Sequence, residues 1–119
     1  MKNTLFIFLF LTLTTQEIYK EIAWECLHTI DYFQTIQISR NPDDFYEEYN
    51  PIIGEHPSER DVNIWFLSTA ILHPIISNYL PEKIRFYTFE IKPRELFQNS
   101  SIIVSSSLII NNIEVGIRF

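Results

Sequence analysis

The sequence predicts a mainly α protein: a small membrane-associated bundle of about three helices, following an N-terminal signal-like segment, with a short β-like tail at the C-terminus. Three observations predict it. Apolar residues make up 46% of the 119, and they fall in blocks long enough for helices rather than in short alternating runs. The middle block, Val62 to Leu80, contains no Asp, Glu, Lys or Arg. The chain also opens on a basic residue followed by an apolar run. One domain is all this length supports. We divide it into a signal-like segment, 1–15, and a single helical domain, 16–119.

The opening "MKNTLFIFLFLTLTTQE" has the positive start, apolar stretch and small polar residues of an export signal. The run from Thr4 to Leu13 is too short to span hydrocarbon, which takes about 20 helical residues. Cleavage near Thr15 is the expectation; the alternative is an uncleaved extension of the first helix.

Segment one, Glu17 to Ser39, reads as a helix. Glu17, Glu21, Trp24, His28, Asp31 and Thr35 recur at steps of four and three, with Gln34 beside them, so they form one stripe. In a water-soluble protein such a stripe faces solvent. In a membrane protein it faces the bundle interior, because ionisable groups in lipid are costly. Asn41-Pro42 ends the segment. The loop 41–61 is acidic and carries Phe45, Tyr46 and Tyr49 in "DDFYEEY", a short surface or interfacial helix. Within it "NPIIGEHPS" (50–58) reads as a turn, with Gly54 as its corner, and as an external contact surface. Ser58 followed by Asp61 reads as a helix cap.

Segment two, Val62 to Leu80, is apolar all round and nearly long enough to span a bilayer. Trp65 and Tyr79 sit near its ends, as in an aromatic belt. Pro74, inside it, would cost roughly 3 kcal/mol in a water-exposed helix and is better tolerated in lipid. The alternative is a buried core helix ending at His73. The connection 81–95 carries Lys83, Arg85, Lys92 and Arg94, which by the positive-inside rule makes it the cytoplasmic side. With only two glycines in the chain, glycine-dependent hairpins are not expected. Segment three, Leu96 to Ile110, reads as a helix whose serines permit close packing, although its β-branched residues also suit a strand. The tail "IEVGIRF" alternates like a strand. A self-contained outer-membrane barrel is disfavoured, since this chain does not supply eight strands.

The pieces "LHTIDYFQT" (27–35), "NPIIGEHPS" (50–58), "VNIWFLSTAILH" (62–73), "LPEKIR" (80–85) and "NNIEVGIRF" (111–119) together resemble a group of small exported proteins of proteobacteria and their phages. That group shares a D-x-x-Q-T stretch, an N-P-[IL]-[IL]-G-x-H-P-S loop and a helix ending on histidine before a Leu-Pro turn. The likeness covers roughly residues 20–119, with an insertion near 88–98, and "ELFQNSS" departs from the pattern. The resemblance implies an envelope location and a helical fold. It implies no particular chemistry.

The net charge of −6 argues against nucleic-acid binding, which requires basic surface. The lone Cys26 excludes an intrachain disulfide framework. Glu25 and His28 have E-x-x-H spacing, but no second pair completes a di-iron site. His28, Asp31, His56 and His73 are the metal candidates, scattered over three segments. Cys26 and His28 lie two apart and so face different sides of a helix, against a nucleophile–base pair. Asn99-Ser100-Ser101 has the form of a glycosylation sequon. The preferred site is a structural polar lock of Asp31, Gln34 and His73, because a buried carboxylate needs a partner. The function expected is a small non-enzymatic envelope or inner-membrane protein, structural or accessory and phage-encoded in origin. It needs no cofactor, and its partners are membrane lipids and an envelope protein or a second copy. The alternative is a membrane-embedded ion- or metal-binding protein or enzyme that uses the His and Asp side chains of the bundle.

Overall fold

The computed structural model describes residues 13–40, 52, 54 and 56–114. Three helices and one hairpin follow in order: α1 (Thr15–Arg40), α2 (Glu59–Tyr79), β1 (Ile84–Phe86), β2 (Phe89–Ile91) and α3 (Pro93–Glu114). The expected signal-like run and most of the acidic loop lie outside the described residues, as do residues 115–119 of the β-like tail. The tail's first two residues, Ile113 and Glu114, belong to α3.

Each helix starts and stops for a local reason. The first turn of α1 is closed by a reciprocal pair: the Thr14 backbone N–H donates to Glu17 Oε2 (2.9 Å), and the Glu17 N–H donates to Thr14 Oγ1 (3.3 Å). The helix therefore begins at its own cap instead of continuing the apolar run before it. It ends at Arg40, ahead of Asn41-Pro42. Ser58 is extended and accepts the Asp61 N–H at 3.1 Å, the cap read from the sequence. Gly54 takes φ +84 in the loop before it, where a side chain would be strained. Helix α2 runs through Pro74 to Tyr79 and does not stop at His73. It terminates where Leu80 precedes Pro81 and is held extended. Pro93 opens α3, a position that lacks an N–H partner anyway.

The connection from α2 to α3 is a two-residue hairpin, pairing Ile84 with Ile91, Arg85 with Glu90 and Phe86 with Phe89. The turn uses no glycine, so it lies outside the expectation about glycine-dependent hairpins. Tyr87 itself takes the positive φ, at 49°, a conformation that costs a non-glycine residue of order 1 kcal/mol.

Helix α1 is central and packs along both α2 and α3, which touch each other little. Along α1, Glu21 meets His73 and Ser77, His28 meets Phe66 and Thr69, Tyr32 meets Asn63, and Arg40 meets Glu59. Rising numbers on α1 meet falling numbers on α2, so the two are antiparallel. Against α3, Glu17 meets Arg94, Glu21 meets Gln98, and Gln34 meets Asn112, so α1 and α3 are parallel. A small apolar cluster of Ile36, Val62 and Phe66, flanked by Tyr32 and Trp65, closes one end.

Leu13, Trp24, Ile38, Pro74 and Ile109 are buried as well, but most of the remaining interior is polar. Glu21, His28, Asp31, Gln34, Thr35, His73, Ser77, Arg94, Gln98, Ser105 and Asn112 are buried. Large apolar side chains are exposed instead, among them Ile22 and Phe33 on α1, Leu67 and Leu72 on α2, and Ile103 and Ile110 on α3. The polar stripe of α1 therefore faces inward, between its two neighbours. Among the described residues, no helix is long and apolar enough to cross a membrane.

The α2 cap yields a measurable expectation. Replacing Ser58 with Ala removes the acceptor for the Asp61 N–H and should cost about 1 kcal/mol. The check is the midpoint of helix loss followed by circular dichroism. A midpoint equal to the parent's would mean that the cap is not formed.

Candidate functional site

The buried polar groups converge on Glu21. Two turns of α1 beyond its cap, this carboxylate is fully buried, so it requires donors from its neighbours. Helix α2 supplies two: His73 Nδ1 reaches Glu21 Oε2 at 2.8 Å, and Ser77 Oγ donates a short hydrogen bond to Oε1. Helix α3 supplies a third, Gln98 Nε2 to Oε1 at 2.9 Å; the same amide also donates to the Glu17 backbone oxygen at 3.1 Å. A carboxylate only accepts, which places a proton on His73 Nδ1.

A turn nearer the hairpin, Arg94 makes a second node. Its Nη1 bonds Glu17 Oε2 at 3.0 Å, its Nε donates to Leu80 O at 3.2 Å, and its Nη2 donates to Asn78 O at 3.3 Å. The guanidinium thus joins the start of α1 to the last carbonyls of α2, a site that favours a cation. At the far end Asn112 Nδ2 donates to Gln34 Oε1 at 3.1 Å. Arg40 closes that end with an exposed 2.7 Å ion pair to Glu59, holding the Glu59 carboxyl below its ordinary range through the hydrogen bond and the charge.

Between the nodes runs a column of rings. Phe66, His28, Trp24, His73 and Phe97 follow one another at centroid spacings of 4.7, 4.3, 3.7 and 4.5 Å. His28 Nε2 bonds the Phe66 carbonyl at 3.1 Å and Thr69 Oγ1 at 2.7 Å. Because the carbonyl only accepts, Nε2 carries the proton.

The expected lock is corrected by this geometry. His73 pairs with Glu21, a carboxylate outside the expected set. Asp31 sits farther along α1, and in an antiparallel pair that shift carries it toward the start of α2, away from His73. Gln34 is fully buried as expected, with Asn112 as its partner. Asp31, His28 and His73 do line one groove of about 490 Å³ between α2 and α3, with Trp24, Thr69 and Phe97. His56 is exposed on the loop before α2. No group of three metal-ligating side chains gathers among the described residues. His28 Nε2 donates to a carbonyl and His73 Nδ1 to a carboxylate. Ser77 and His73 both bond the carboxylate rather than each other, so the imidazole is not placed to take the serine proton, as a nucleophile–base pair requires. Cys26 is exposed on the outer face of α1 while His28 is buried on the inner one.

Sequence reading missed Glu21's role as acceptor, together with Arg94, Gln98 and Asn112. A signal was present: Gln98, Ser105 and Asn112 recur every seven residues on α3, the spacing of the α1 stripe. No protein-family model, curated protein or solved structure matches the chain.

Removing one partner of a buried charged pair strands the other, so Glu21→Ala should destabilise the fold by about 3–5 kcal/mol. A double-mutant cycle with His73→Ala should give a coupling of roughly 0.5–3 kcal/mol. Unfolding in the solvent or detergent that maintains the fold measures both. Additivity of Glu21 with His73 would refute the pairing.

Proposed function

We propose that the chain is a small membrane-associated helical protein with a structural or accessory role, its polar seam inside and its outer surface in contact with lipid. One observation carries the reading: an uncharged apolar belt surrounds a polar interior. From Val62 to Leu80 on α2 and from Leu96 to Ile113 on α3 there is no Asp, Glu, Lys or Arg. Over the same height of α1, Glu21 and Asp31 are buried and Glu25 is half-buried. Eighteen helical residues rise about 27 Å, close to the roughly 30 Å of a hydrocarbon core. The exposed charges collect at the two ends: Arg40, Glu59, Arg60, Asp61 and Glu114 at one, Glu82, Lys83, Arg85, Glu90, Lys92 and Glu95 at the other.

Two further features support it. The outward hydroxyls of Thr29 and Ser107 bond back to the carbonyls of Glu25 and Ile103 at 2.8 Å, which satisfies them without water. Each helix's mean hydropathy is lowered by side chains that turn inward, such as His73, Ser77, Gln98 and Asn112, while lipid would meet the outer face alone. By the positive-inside rule the end bearing Lys83, Arg85 and Lys92 is the cytoplasmic one. Helix α1 starts at that same end. The resemblance to small exported proteins of proteobacteria and phages adds an envelope setting. The residues that hold the seam are Glu21, Gln34, His73, Arg94, Gln98 and Asn112.

Cys26 provides the test, because it is exposed in the fold and lies on the belt. In intact membranes it should resist a charged, water-soluble maleimide added to either side, and react after denaturation in detergent. The protein should also pellet after alkaline carbonate treatment. Release into the soluble fraction with full labelling of Cys26 would overturn the reading.

A further inference from the structure

The β1–β2 hairpin has two unlike faces. Strand alternation places Ile84, Phe86, Phe89 and Ile91 on one face and Arg85 and Glu90 on the other. The charged face is tied together, with Arg85 Nε 3.4 Å and Lys83 Nζ 4.0 Å from Glu90. On the apolar face Phe86, Phe89 and Ile91 are exposed, and Tyr87 at the tip is fully exposed. Two three-residue strands are marginal by themselves, and this pair leaves most of its apolar side exposed.

Its position is fixed. The Arg94 backbone N–H donates to Pro81 O at 3.4 Å, and its side chain bonds Leu80 O, Asn78 O and Glu17. The base of the hairpin is thereby clamped where the uncharged stretches of α2 and α3 end. Tyr79, 86% exposed, stands beside it at the end of α2. Aromatic side chains with basic neighbours at such a level suit the boundary between acyl chains and headgroups.

We propose that this hairpin is a lipid-interface anchor, with Ile84, Phe86, Phe89 and Ile91 in the acyl region and Lys83, Arg85 and Glu90 among the headgroups. The proposal rests on the membrane reading above and commits to phospholipid, not protein, as the covering partner. Continuity with the apolar belt favours lipid: one medium then covers both surfaces. The charged face also carries two cations against one anion, a balance that suits anionic headgroups.

The test uses the full chain carrying Cys26→Ala, with Phe89→Cys or Arg85→Cys, labelled with an environment-sensitive fluorophore. Each protein is reconstituted into phosphatidylcholine–phosphatidylglycerol vesicles, and circular dichroism establishes that helix content matches the parent. The label at 89 should be quenched several-fold more by nitroxide lipids than by aqueous iodide, and the label at 85 the reverse. Equal iodide quenching at both positions in vesicle-bound protein would overturn the anchor and leave the membrane reading standing. Failure of the protein to enter vesicles would remove the membrane reading and the anchor with it. Shielding of position 89 in detergent, within an assembly larger than one chain, would make a protein the covering partner and overturn the lipid assignment.

Discussion

A carboxylate without access to water constrains the whole molecule. Glu21 cannot stay buried unless donors surround it, and α1 does not supply them. They come from His73 and Ser77 on one neighbour and Gln98 on the other. Meeting them sets the register of both helices against α1 at a single level. The Arg94–Glu17 bond one turn away and the Gln34–Asn112 bond at the opposite end repeat that register, so the bundle does not slide without breaking all three levels. Desolvation acts against a charge here, and three converging hydrogen bonds oppose it.

The arrangement inverts a coiled coil. Steps of four and three along α1, and seven-residue steps along α3, place one stripe of each helix at the seam, as heptads do. In a coiled coil the stripe is apolar because removal from water drives association. Here the stripe holds Glu21, His28, Asp31, Gln98 and Asn112 beside Trp24, and many large apolar side chains lie outside. Such an exterior in water would leave many apolar groups solvated for little gain, whereas in lipid it costs nothing. Under the membrane reading, polar pairs and packing hold the helices together, because lipid gives apolar faces no reason to associate with one another.

Much of the fold was legible in the sequence, and the remainder failed for definite reasons. The α1 stripe was readable because helical spacing fixes which residues share a face. Its direction was not readable, since periodicity is the same whether a stripe faces solvent or a neighbour. The Ser58 cap was legible because capping is local. Glu21 was missed as the partner of His73 because Glu21 and Asp31 occupy the same stripe, and only the offset between helices distinguishes them. That offset is a property of two segments together. The hairpin was missed because Tyr87 takes a backbone conformation usually left to glycine.

The ring column fixes how the two neighbouring histidines are held. His28 and His73 both stack on Trp24, which holds each imidazole by its faces and leaves only ring edges for hydrogen bonds. One nitrogen of His28 is committed to the Phe66 carbonyl and one of His73 to Glu21. Each histidine thus ties α1 to α2, by a donor on α1 for His28 and a donor on α2 for His73. Reciprocal ties of this kind resist rotation of either helix about its axis, which a smooth apolar seam would permit. The polar interior therefore specifies rotation as well as register, and it does so where an apolar exterior supplies neither.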